Sequence, residues 1–328
     1  MMPVLEVHHL TKAFKQITAV NDLSFQVPEG ELFGLLGPNG AGKTTTMRML
    51  TTLLKPDSGS ASVAGHDIIK FRNAVRASIG MVFQEPALDR QLTGRENLDF
   101  HGRMYGMKKD FRKSRIHEVL DLVELSDRAD SLVETYSGGM QRRLEIARGL
   151  MHLPKILFLD EPTLGLDTQT RRKIWDYIRK MNQEHKTTMI LTTHYMEEAD
   201  CLCDRVGIMD QGKIVALDTP KNLKDLIGAD VVTLETEGGD NGIFSGLDIV
   251  REQVGHGNQV SLMVENGERK IPVLIAHAAK HGLQVLSVEL HKPSLEDVFL
   301  RFTGATLRDR ESGHSEKVKR PGFRMRRR

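Results

Sequence analysis

Cysteine, tryptophan and long apolar runs are scarce in this sequence. Only two cysteines occur in 328 residues, which excludes a disulfide-stapled scaffold and a cysteine-built metal domain. Cys201 and Cys203 stand two apart in "EEADCLCDRV", which reads as helix, so they point to different sides; two reduced thiols fit a cytosolic setting. No stretch approaches the roughly 18 consecutive apolar residues that a membrane-spanning helix needs. "MMPVLEVHHL" lacks a basic start followed by a long apolar core and does not read as a signal peptide. Internal repeats and long heptad runs are also missing. Net charge is nearly absent, at +2, but it is unevenly placed. Nine Lys/Arg and three Asp/Glu fall between Thr306 and Arg328, so the rest carries 37 basic and 41 acidic residues, a net of −4. The body is therefore no general polyanion binder; only the tail is basic.

Along the chain, "LEVHHL" and "LSFQV" read as strands around "TKAFKQITAVND". "ELFGLLG" is an apolar strand ending in glycine, and "GKTTTMRMLTTLL" follows as a helix stopped by "KPDSG". Helical patterns dominate from Leu88 to Leu150. "KILFLD" and "TTMILTTH" are short continuous apolar runs, the mark of strands buried on both faces. Between them "TRRKIWDYIRKMNQEH" is an amphipathic helix; "YMEEADCLCDRV" is helix again, and "VGIMDQGKIVAL" is a hairpin around "DQG". The alternation predicts an α/β domain with a largely parallel sheet and a helical insertion. After "TPKNLKDLIG", strand-like "VVTLETEG", "QVSLMVE" and "QVLSVEL" with helical "KIPVLIAHAAKHG" and "SLEDVFLRFTG" predict a small α+β domain. The predicted boundaries are 1–223 for the first domain, with its helical part at about 86–150, then 224–304, then a tail at 305–328 that lacks periodicity and reads as disordered. His8 and His9 read as strand surface, because no other metal ligand is nearby in sequence.

"GPNGAGKT" (Gly37 to Thr44) matches G-x-x-x-x-G-K-[ST] between an apolar strand and a helix, the context of a P-loop. Gly37, Gly40 and Gly42 let the backbone curl so that N–H groups face phosphate oxygens. Pro38, Asn39, Ala41 and Thr45 complete the loop and its helix start; Lys43 reaches the β- and γ-phosphates of ATP, and the Thr44 hydroxyl ligates Mg²⁺. Asp160 ends a strand and is placed to hold the Mg²⁺ shell, and Glu161 to orient or deprotonate a water. His194 ends the next apolar strand; after a P-loop, this position favours a role beside the γ-phosphate over a structural one. Both lie at carboxyl ends of strands, where open α/β sheets bind ligands. In "YSGGMQRRLEIARGL", Ser137 is a helix N-cap, so Ser137, Gly138 and Gly139 form a helix lip suited to an anion.

A P-loop, "SGG" before a helix, "LDEP", "GLD" and a strand-terminal His, in this order, resemble the nucleotide-binding subunit of ABC transporters over roughly Leu5 to Leu223. The resemblance implies a P-loop NTPase core with an inserted helical subdomain, and a head-to-tail homodimer with two ATP molecules at its interface. The anion on Ser137–Gly139 would be the γ-phosphate of ATP seated on the other subunit. By the same resemblance Phe14 falls where an aromatic stacks on adenine, the alternative being a buried core Phe. Gln84 falls at the glutamine that touches Mg²⁺ and water and senses the membrane partner, and Asp167 in the loop linking the two sites. One departure stands out: the common Leu-Ser-Gly-Gly-Gln is here Tyr-Ser-Gly-Gly-Met (Tyr136 to Met140), and Met140 offers no amide.

"YSGGMQRRLEIARGL", "GKTTTMRMLTTLLKPDSG", "LDRQLTGRENLDFHGRMYG" and "PSLEDVFLRFTG" resemble the daunorubicin-resistance type, which pairs with a separate ABC-2 export permease and carries a small C-terminal domain. The resemblance implies an ATP-hydrolysing subunit, peripheral on the cytoplasmic face of the cell membrane, energising export of a drug, lipid or other amphipathic cargo. Two other classes compete. A soluble ABC protein acting on nucleic acid or ribosomes usually has two such domains or a long coiled coil, whereas this chain has one P-loop, so no nucleic-acid partner is expected. A module that holds ATP without hydrolysis is disfavoured by Glu161 and His194. The tail "KVKRPGFRMRRR" suits either contact with anionic lipid through Phe323 and Met325 or a solvated tail.

Overall fold

The structure is a computed structural model that describes residues 3–237 and 241–304. The chain divides into two compact units, Met1–Leu217 and Asp218 onward. The division falls slightly before the 223/224 boundary read from the sequence. Thr219 caps a helix with Pro220 at its first turn, so "TPKNLKD" begins the second unit instead of ending the first. The tail, with the lipid contact considered for it, lies outside the described residues.

The first unit opens with β1 (Pro3–Phe14) and β2 (Ile17–Pro28). The strands run through most of "TKAFKQITAVND", leaving only Lys15 and Gln16 as the turn, because register shifts within β1 absorb its irregular pattern. β3 (Leu32–Leu36) follows, and α1 (Lys43–Leu50) after it. This helix stops short of the apolar pattern that predicted it. The Thr51 hydroxyl back-bonds to Met47 O at 2.8 Å, and Thr52 turns left-handed. Then come β4 (Ser58–Val63), β5 (His66–Asp67), α2 (Arg72–Ser78) and β6 (Ile79–Val82). α3 (Gly94–Met104), α4 (Lys109–Leu122) and α5 (Gly138–Leu150) form the helical insertion. β7 (Ile156–Asp160), α6 (Thr168–His185), β8 (Thr188–Thr193), α7 (Met196–Leu202), β9 (Arg205–Asp210) and β10 (Lys213–Asp218) complete it.

Two sheets result. One is ordered β10-β9-β3-β8-β7-β6, with β9, β3, β8, β7 and β6 pairing in parallel. The other is antiparallel, ordered β2-β1-β4-β5. The alternation of strand and helix foretold the first, not the second. A core shared by both sheets includes Leu5, Val20, Phe33, Met47, Phe158 and Ile190; Phe25 stacks on Phe33 with centroids 5.1 Å apart. The parallel arrangement brings the carboxyl ends of β3, β7 and β8 to one edge. α7 ends at Leu202, so Cys203 is no longer helical as read but caps the helix in extended conformation. Its thiol is buried and Cys201 is exposed, and burial pushes the Cys203 thiol well up from its ordinary range.

The second unit has α8 (Pro220–Asp225), β11 (Asp230–Glu237), β12 (Val250–His256), β13 (Gln259–Val264), α9 (Gly267–Lys280), β14 (Gln284–His291) and α10 (Leu295–Thr303). Its antiparallel sheet is ordered β12-β13-β11-β14. Val232, Leu234, Leu262 and Val264 of the sheet share a core with Leu274 and Ala278 of α9.

Candidate nucleotide site

β3 delivers the chain to Gly37, and α1 takes it up at Lys43. A side chain at Gly37 would strike the carbonyl of Met209, and one at Gly42 the carbonyl of Ala19; Gly42 also holds the left-handed conformation, φ 103°. Both positions require glycine. Gly37 N donates to Thr193 O at 3.3 Å, tying the loop to the end of β8, and Ala41 N donates to Pro38 O at 3.2 Å. Asn39 and Gly40 form the exposed crest, Pro38 and Ala41 its buried flanks, and Thr45 is half-buried on the first turn of α1. Lys43 is buried, with Nζ donating to Gly37 O at 2.7 Å and Pro38 O at 3.0 Å.

Four elements converge here. The Thr44 hydroxyl donates to Asp160 Oδ1 at 3.2 Å, and the Thr192 hydroxyl to the same oxygen at 2.5 Å. Glu161 follows directly after β7. Its Oε1 lies 3.9 Å from Lys43 Nζ and 3.2 Å from His194 Nδ1; its Oε2 accepts from Gln84 Nε2 at 3.5 Å. Burial pushes the Glu161 carboxyl up, but the hydrogen bond and charge of His194 and the charge of Lys43 outweigh it. The net position is below the usual glutamate range. Glu161 also sits at φ 47°, a conformation costing a non-glycine residue on the order of 1–3 kcal/mol, typical of functional sites. Glu161 N donates to Thr192 O at 3.1 Å, which helps to hold it there.

Thr44 and Asp160 present hard oxygen donors close together, a donor set that fits Mg²⁺. Phe14, at the tip of the β1–β2 hairpin, is 47% exposed and not a core side chain; Lys12 Nζ lies 5.5 Å from its ring centroid.

Ser137, Gly138 and Gly139 are not part of this cluster. Ser137 caps α5, its hydroxyl accepting from Met140 N at 3.3 Å. With Gly139 and Met140 it borders a separate groove of about 440 Å³, further lined by Arg143, Lys173 and Tyr177. The Cβ that an alanine at Gly139 would add lies 2.5 Å from Thr170 Cγ2, so this glycine is fixed by the close approach of α6. Asp167 caps α6, accepting from Thr170 N at 2.9 Å.

Sequence reasoning missed Thr192, hidden inside an apolar strand, and Arg142, one of three arginines on α5. Arg142 is buried beneath the Asp160–Pro162 backbone and donates to Asp160 O at 3.1 Å and Glu161 O at 3.0 Å. Its only sequence signal was a charge on the apolar face of a helix.

Residues 20–164 match the family described as ABC transporter, and residues 219–303 match that described as ATP-binding protein DrrA1-3-like, C-terminal domain. The chain is 42% identical over 315 residues to the linearmycin resistance ATP-binding protein LnrL of Bacillus subtilis, covering 93% of this chain and 100% of that protein. It is 38% identical to the daunorubicin/doxorubicin resistance ATP-binding protein DrrA of Streptomyces peucetius, over 96% of this chain and 97% of the relative. To the Nod factor export ATP-binding protein I of Ralstonia nicotianae it is 40% identical, over 94% and 96%. Among solved structures, the dimeric post-hydrolysis ATP-binding cassette MJ0796 bound to ADP and Pi matches with TM-score 0.59 at 28% identity, over 66% of this chain and 98% of that one. The cbiO1 subunit of Clostridium perfringens matches with TM-score 0.65 at 28% identity, over 70% of this chain and 94% of that one. With a P-loop, two strand-end carboxylates and a strand-end histidine converging on one edge of its sheet, the chain belongs to the ATP-binding proteins of ABC transporters, in the group typified by the daunorubicin-resistance proteins.

Proposed function

We propose that this chain is the ATP-hydrolysing subunit of a membrane exporter, working as a homodimer with a separate permease of the ABC-2 type on the cytoplasmic face of the membrane. The observation that carries the reading is the placement of Glu161 within reach of Lys43, His194 and Gln84. Lys43 and the curled backbone of Gly37–Gly42 hold the ATP phosphates, with Thr45 beside them. The Thr44 hydroxyl and Asp160 would hold Mg²⁺, which supplies charge neutralisation at the transferring phosphate. Glu161, kept ionised, accepts a proton from the attacking water, while His194 and Gln84 orient its carboxylate from either side. Phe14 offers its exposed ring to adenine. Ser137, Gly138 and Gly139, turned away from their own P-loop, hold the γ-phosphate of ATP on the second copy.

Exposed apolar side chains support the permease as partner: Phe83 beside Gln84, Phe100 and Met104 of α3, Tyr105 at its C-terminal cap and Phe111 of α4 are all exposed. Contact of the tail with anionic lipid is proposed on its sequence charge alone.

Replacing Glu161 with Gln should leave ATP binding intact and lower turnover by about 100-fold or more. A tagged E161Q chain, expressed in the native host and trapped with ATP and Mg²⁺, should co-purify with a polytopic membrane protein in stoichiometric amount. Ribosomes or DNA in its place would keep the ATPase and remove the exporter; unchanged turnover in E161Q would remove Glu161 from the mechanism.

A further inference from the structure

Arg142 lies one turn into α5, and its guanidinium is turned inward. Nε donates to Pro162 O at 2.5 Å, and Nη2 to Asp160 O at 3.1 Å and Glu161 O at 3.0 Å. Three successive carbonyls, those of Asp160, Glu161 and Pro162, are thus gathered by one side chain. Nη1 reaches a different segment, Phe83 O at 2.5 Å, next to Gln84, and also Glu145 Oε2 at 2.9 Å. Glu145 is fully buried on the next part of α5. Its Oε1 accepts from Ala87 N at 2.6 Å, and Arg148 donates to Ala87 O at 2.8 Å. The loop from Phe83 to Ala87 and the end of β7 are therefore both pinned to the helix whose first turn carries Ser137, Gly138 and Gly139.

We infer that Arg142, held by Glu145, is a positioning residue for hydrolysis: it fixes Glu161 and the Gln84 loop to the helix that presents Ser137–Gly139. The inference rests on reading Glu161 as the base. Glu161 stands in a backbone conformation that its own side chain does not favour, so its surroundings must impose it. With the Glu161 carbonyl drawn to Arg142, the residue is anchored from below. A planar fork of five donors can serve several acceptors at once; the single ammonium of lysine cannot span them. A displacement of about 1 Å at a catalytic group can cost about 100-fold in rate, so loss of this fork should show in turnover. It also gives α5 a one-residue connection to the chemistry: a shift of the helix on docking of a second copy's nucleotide moves Glu161 and Phe83 together.

The test is steady-state ATPase kinetics on the full chain, with ATP affinity measured by titration. R142K should lower kcat by about tenfold or more while KM and ATP affinity stay within about twofold. E145Q should act in the same direction, and it decides by the same criteria if R142K does not fold. On the E161Q background, R142K should change the residual rate by less than about twofold, because the carboxylate it positions is gone. Unchanged kcat in R142K, joint loss of kcat and ATP affinity, or an equal fall on the E161Q background would each overturn the inference. An inactive E161Q beside a fully active R142K removes Arg142 alone; an active E161Q removes the reading of Glu161, and this role with it.

Discussion

At the scale of single residues, His101 carries a consequence for pH. Its ring lies on α3 against Tyr105, 4.9 Å between centroids, and 6.0 Å from the ring of His152. Arg148 from α5 faces it too. Burial, then the charges of Arg148 and His152, lower its pKa to about 4. The unfolded chain, with histidine near its ordinary 6.5, binds this proton more readily. Stability is therefore lost as pH falls from about 6.5 towards about 4, by no more than about 3 kcal/mol for this group. Thermal melts at about pH 7 and pH 5 should show a smaller acid-induced drop in H101Q than in the parent chain. An equal drop in both would remove His101 from the acid response.

At the scale of elements, the parts legible in sequence are those whose chemistry is contiguous. The P-loop is readable because phosphate binding fixes four residue types within eight consecutive positions; β7 and β8 are readable because strands buried on both faces are largely apolar. By contrast β4, "SGSASV", is built of small polar residues and buries only one face, and β12, "VREQVGH", is an edge strand with little apolar alternation. Neither carries a pattern that distinguishes it from loop. The same limit applies inside the site. Glu161 and His194 announce themselves at strand ends. The Arg142 fork depends on three backbone carbonyls 18 to 20 residues away, and no local signal encodes that meeting. The helix lip of α5 was legible, but not that the Thr170 methyl of α6 lies where a Cβ at Gly139 would go.

At the scale of the whole molecule, the Ser137–Gly139 lip lies apart from its own P-loop cluster, and on the proposed reading this makes dimerisation part of the chemistry. E161Q with ATP and Mg²⁺ should run at twice the mass of the chain in size-exclusion chromatography with light scattering. G138D should stay monomeric while its ATP affinity holds within about twofold. Gly138 is exposed and an added Cβ meets only Leu166 at 3.5 Å, so the substitution fits its own fold and acts through its charge, which repels a phosphate. A dimer formed equally well by G138D would place the interface elsewhere.

The scarcity of tryptophan has an optical consequence. Trp175, on α6, is the only one in the chain. Its indole Nε1 donates to Glu198 Oε1 at 2.9 Å, and the Thr163 hydroxyl donates to that same oxygen at 2.7 Å. Thr163 lies just beyond Glu161, and Glu198 on α7 just beyond His194. Movement of either flank changes the field and hydrogen bond felt by the indole. Fluorescence excited at the tryptophan band therefore has a single origin, at Trp175. Addition of ATP to the E161Q chain should shift its emission without any dye, and W175F should abolish that signal, leaving a native lamp for timing the closure of the site.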